Sequence, residues 1–165
     1  MSEKKKRLPI WPICLVLAVI LILAALNPVC RYFYTKDFVK RSDIQLAEFF
    51  AHDIETKELT GSIKPIFFFG SAGTATNASC LDLSTGKYNI FSVFDAGNAL
   101  GLDTLEASQY IIEYLNGLGY DYTAPTAEDW EKYESEMAEH VPLWKAFPWY
   151  DGIIETEHCI IVQLS

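Results

Sequence analysis

The pattern of apolar and polar positions splits this chain of 165 residues into two unlike parts. From Leu8 to Cys30 no residue is charged, and Ile13 through Leu23 is apolar on every face. A soluble amphipathic helix would carry a polar stripe there. At about 1.5 Å per residue the run makes a helix of roughly 34 Å, enough for a hydrocarbon core of about 30 Å. Pro9 and Pro12 fall in its first turns, where a missing N–H costs little, and Asn27-Pro28 supplies a stop. Trp11 at one end and Tyr32, Phe33 and Tyr34 at the other fit the two interfacial aromatic belts.

Beyond residue 41 the pattern becomes that of a globular domain. Ser42 with Gln45 three residues on reads as a capping box, and Leu46, Ala47, Phe50 and Ile54 follow at helical spacing up to Gly61. Ile66-Phe67-Phe68-Phe69 is a continuous apolar run between Pro65 and Gly70, as in a strand buried on both faces. Residues 71–79 are small and polar, hence a loop, and Tyr88 to Phe94 reads as a second strand. Asp103 and Glu106 open a helix whose stripe is Ala107, Ile111, Leu115 and Leu118, with Gly117 or Gly119 closing it. An extended piece, Tyr120 to Thr123, precedes Pro125. Thr126 and Asp129 open another helix, with Trp130, Tyr133, Met137 and Val141 on one side and a row of glutamates on the other. Ile153-Ile154-Glu155 and Cys159 to Leu164 form a hairpin around Glu157-His158, and the last strand is too apolar to be left exposed.

The expected fold class is therefore mixed α/β (α+β): one N-terminal transmembrane helix, then a mixed sheet with about three packed helices and a C-terminal β-hairpin. The organisation is a basic cytoplasmic tail at 1–7, a signal anchor at 8–30, a juxtamembrane linker at 31–41 and an extracytoplasmic domain at 42–165. A cleavable secretory signal is the competing reading of the apolar run, but no small-x-small site follows it. Either reading sends the remainder outside, with the basic end in the cytoplasm by the positive-inside rule. The localisation that follows is a single-pass protein of the cell membrane.

Charge narrows the partners. Residues 1–30 carry four basic residues and Glu3, net +3, which leaves −12 for the remainder of a chain of net charge −9. Nucleic acid and anionic lipid are both poor partners for such a domain, since either surface would repel it. The bilayer, engaged through residues 8–30, is the first partner. Cysteines are sparse, and an oxidising compartment permits a bond between Cys80 and Cys159, although two isolated cysteines also fit buried thiols.

Candidate chemistry is thin. Ser71 and Thr74 lie in a small-residue loop after a strand, where backbone N–H groups could cradle an anion; a plain loop has the same composition. Asp95 follows an apolar strand and is the carboxylate best placed to face a cleft, or else to bond its own turn. Trp144, Phe147, Trp149 and Tyr150 form an aromatic cluster that could stack on sugar rings or fill core under a loop. His52, His140 and His158 show no metal-ligand spacing, so no metal and no cofactor is called for. Adjacent His158 and Cys159 would point to opposite faces of a strand, against a nucleophilic dyad. No catalytic residue can be named.

Several segments, in this order, resemble the C-terminal extracytoplasmic region of bacterial Gtr-type O-antigen glucosyltransferases and related envelope proteins. They are the membrane helix running into Asp43–Ile54, Lys64 to Gly70, Tyr114 to Gly119 with Pro125-Thr126, Phe147 to Ile153, and the terminal Ile160 to Ser165. Members of that family are polytopic and move glucose from a lipid-phosphate-linked donor, using acids in loops between earlier membrane helices. This chain has one such helix, so the resemblance implies the accessory domain and carries no catalytic residue over. The reading is a non-catalytic binding or assembly module of the cell envelope, with a polytopic membrane glycosyltransferase or an envelope glycan as partner. The alternative is a component of a membrane glycosyltransferase, or a tethered glycan hydrolase in which a carboxylate pair including Asp95 does the work.

Overall fold

The computed structural model describes residues 10–72, 90–140, 147 and 152–164. Its dominant element is α1, a single helix Ile10–Thr56 of 47 residues, which runs through the stop expected at Asn27-Pro28. At about 1.5 Å per residue it is roughly 70 Å long. Its N-terminal half has no buried residue among those described and is apolar enough to cross a membrane. Its C-terminal half buries Val39, Asp43, Ala47, Phe50 and Ile54. That spacing of three and four residues is one helix face.

The capping box read at Ser42 is therefore not a helix start. Residues 31–41 are already helical, so the N–H groups Ser42 would cap are bonded within the helix. Nor does Gly61 close the helix. Lys57 N–H donates to the Asp53 carbonyl and Leu59 N–H to that of Ile54, and Glu58 takes the left-handed turn with φ 53°. Gly61 serves a different purpose. A Cβ there would sit 3.1 Å from the Tyr122 ring, and its carbonyl accepts from Thr123 N–H at 2.9 Å.

Strands β1 (Ile66–Phe69), β2 (Ile153–Glu155) and β3 (Ile160–Gln163) form a sheet in the order β1-β3-β2. β3 pairs parallel with β1, Ile66 opposite Ile160, and antiparallel with β2, Ile153 opposite Val162. The sheet is mixed, as the sequence implies. The hairpin closes through Thr156 N–H to the Cys159 carbonyl, and β3, read as too apolar to be left exposed, takes the centre.

Side chains alternate across the sheet. Ile66, Phe68, Ile160 and Val162 pack with Ala47, Phe50 and Ile54 of α1 and with Ile111, Ile112 and Leu115 of α3 (Thr104–Gly117). Phe67, Cys159 and Ile161 face the other way, onto Met137, Trp130 and Tyr133 of α4 (Ala127–His140). Both of these helices begin as the sequence predicts. Asp103 and Glu106 form a complete capping box, and Thr126 and Asp129 exchange the same pair of bonds. Gly119, at φ 102°, lies just past the end of α3.

The outer edge of β1 is covered. Phe68 N–H donates to Ser108 Oγ of α3 at 2.8 Å, and Ile66 N–H to the Thr123 carbonyl. An exposed edge strand of four apolar residues would invite pairing with another chain. The strand expected at Tyr88–Phe94 is not formed over its described part. Residues 90–92 are irregular, Val93–Asp95 is one 3₁₀ turn, and a short helix α2 (Ala96–Leu100) follows.

Candidate functional site

Two of the residues singled out in the sequence meet. Ser71 Oγ donates to Asp95 Oδ1, and Asn98 Nδ2 donates to the same oxygen at 3.1 Å. The elements that bring them together are the exit of β1 and the start of α2. Ala72 N–H donates to the Phe94 carbonyl at 3.1 Å, which lays the loop after Gly70 along the 3₁₀ turn. Asp95 makes no capping bond to α2; its carboxylate is used on Ser71 and Asn98. The arrangement ties two chain segments together.

Directly behind it lies a second Ser–Asp pair, which the sequence reading did not single out. Asp43, buried on α1, accepts from Ser92 Oγ and from Val93 N–H at 3.1 Å. Ser92 Oγ in turn accepts from Phe94 N–H at 3.2 Å and so caps the 3₁₀ turn. Burial pushes the Asp43 carboxyl above its usual range, while the bonds from Ser92 and Val93 pull it back. Tyr114, on α3, is pushed up by burial and by the Asp43 charge. The one signal in the sequence was an acid in the apolar stripe of α1.

On the opposite face, Glu136 Oε2 of α4 bonds His158 Nδ1 at 3.1 Å, and the His158 ring stacks on Tyr133 at 5.2 Å. Desolvation raises the Glu136 carboxyl, but bonds from Thr156 and His158 outweigh it and hold it low. Cys159 is buried beside Thr156, Oγ1 to Sγ 3.3 Å. Burial pushes its thiol up, the reverse of what a thiolate nucleophile needs. Cys80 lies outside the described residues. Near the end of α1, Thr60 donates to Glu155 Oε1, and Lys64 Nζ pairs with the same oxygen at 2.9 Å. These bonds outweigh desolvation and lower the Glu155 carboxyl.

Thr74, Trp144, Trp149 and Tyr150 lie outside the described residues. Phe147, from the same aromatic cluster, is core: it is buried and packs edge-on against Phe50 at 6.3 Å. His52 lies on the exposed side of α1, where it lines a groove of about 420 Å³ with Gln45, Glu48 and Phe49. Among the described residues no three of His, Cys, Asp and Glu gather as a metal site. A scan against protein-family models gives no match, and searches of curated proteins and of solved structures return no significant similarity.

Proposed function

We propose that this chain is a membrane-anchored module of the bacterial cell envelope, N-terminus in the cytoplasm and domain outside, that works by binding or assembly. The observation that carries the reading is the continuity of α1. The helix apolar enough to cross a bilayer is the same helix that gives Ala47, Phe50 and Ile54 to the domain core. A tethered hydrolase searching a polymer gains reach from a flexible linker. An uninterrupted helix instead fixes the height and orientation of the domain, which is what docking against a membrane partner requires. The accessory role beside a polytopic glycosyltransferase belongs to this proposal and rests on the sequence resemblance. Under the alternative, a glycosyltransferase component or hydrolase, Asp95 would have to act while its Oδ1 holds Ser71 and Asn98.

The test uses the full chain with alkaline phosphatase fused after Ser165, expressed in a bacterial host. The expected result is phosphatase activity outside the cytoplasmic membrane, resistance to alkaline-carbonate washing, and a Cys30-directed crosslink to a polytopic protein. Release by carbonate would overturn the anchor. An inactive fusion would overturn the orientation. A membrane-embedded chain that crosslinks to nothing would overturn the assembly reading.

A further inference from the structure

Directly beyond the apolar half of α1 the helix carries a concentrated positive charge. Arg31, Lys36, Lys40 and Arg41 stand against Asp37 alone, net +3 over residues 31–41. All four basic residues are exposed. Arg41 pairs with Asp37 at 2.8 Å while its side chain stays 76% exposed. At about 100° per residue Arg31, Lys36, Lys40 and Arg41 are spread around the axis rather than aligned on one face. They make a belt, not a stripe for a partner helix.

Two features fix the level of this belt. Phe33 and Tyr34, 63% and 75% exposed, mark the aromatic boundary of the apolar segment. Lys36 to Arg41 then lie about 5–12 Å further along the axis. A headgroup layer is roughly 5–8 Å thick on each side of the hydrocarbon core. In a helix the Cα–Cβ bonds tilt toward the N-terminus, and here the N-terminus is the membrane end. Long Lys and Arg side chains from these turns therefore lean back into the headgroups. Burial in the domain begins at Val39, so belt and domain meet on the same turns of helix.

We infer that residues 31–41 form a binding collar for anionic phospholipid headgroups. The domain beyond it carries net −15 over residues 42–165 and is repelled by the surface the collar binds. The two forces act in opposite directions on one continuous helix. They hold the collar down and the domain off the bilayer. The inference rests on α1 spanning the membrane, and it holds whichever leaflet the collar meets.

The full chain is reconstituted in vesicles of equimolar phosphatidylcholine and phosphatidylglycerol, and the lipids retained on the protein are counted by native mass spectrometry. Phosphatidylglycerol should be retained over phosphatidylcholine by about threefold or more, from an electrostatic attraction acting at each basic residue. The excess should vanish in the R31Q/K36Q/K40Q variant, and for the unmodified chain reconstituted in 0.5 M salt, where the Debye length falls to about 4–5 Å. The salt arm needs no substitution, so a misfolded variant leaves the test intact. Equal retention of the two lipids by the unmodified chain overturns the collar. Recovery of the chain in the aqueous phase after carbonate washing overturns the span itself, a different result.

Discussion

At the residue scale, small polar side chains hold this domain's irregular parts in place. Asp43 satisfies two donors of a segment about fifty positions away, Ser92 Oγ and Val93 N–H. Removing it leaves those donors buried and unpaired. Asp43→Ala should cost about 1–3 kcal/mol, read from urea unfolding of the full chain. Glu58 occupies a left-handed position that glycine fills at no steric cost. Glu58→Gly should stabilise by about 0.5–1 kcal/mol on the same measurement. Glu155 gives a pH signature. Its folded carboxyl is held below the ordinary 4.5, so its contribution is complete above 4.5 and lost as pH falls through the lowered value. The stability difference between the native chain and Glu155→Gln should shrink as pH drops from 6 to 3. Asp43 acts with the opposite sign. Its raised carboxyl contributes fully below 3.8, and that contribution fades as pH rises through the folded value. A difference that grows on acidification would contradict the role given to Glu155.

At the element scale, what was legible in the sequence was what is decided locally. Asp103 and Glu106 cap α3 through bonds three residues apart, and Thr126 with Asp129 does the same for α4. Asp103→Ala should cost about 1 kcal/mol, measured as a shift in thermal midpoint. The run Ile66–Phe69 was legible because a strand buried on both faces needs no alternation. The failures share one cause. Ser42 has cap chemistry, but a cap exists only where the preceding turn is not helical, and α1 arrives there already formed. Residues 90–94 look like a strand, yet Ser92 is claimed by Asp43 and the chain turns instead. Ser108 gives no hint in sequence that it will cap Phe68 N–H forty residues away. Of the candidate site, the approach of Ser71 to Asp95 was foreseeable only as two loop residues near strand ends.

At the scale of the whole molecule, α1 belongs to both halves. Phe50 joins the halves most directly, in contact with Phe68, Tyr122 and Phe147. Phe50→Ala should cost about 3–5 kcal/mol and free the domain from the helix, so that protease cuts near residue 56 in the variant and not in the native chain. Tyr122, pushed up to about 12 by burial with the Tyr120 and Glu55 charges behind it, stays neutral against this joint at any physiological pH.

The sheet order also sets a timetable. Among the described residues β1 has one strand partner, β3, which the ribosome makes about ninety residues later, a wait of roughly 5–20 s at ordinary elongation rates. During that wait the apolar run Ile66–Phe69 is a strand without its mate. Of what is synthesised in the interval, Ser108 and Thr123 can occupy one edge before β3 exists. The edge that β3 will fill stays open until residues 160–163 emerge. Production of this chain should therefore be most vulnerable to aggregation when elongation is slow over residues 125–160, and least so when translation of that stretch is fast.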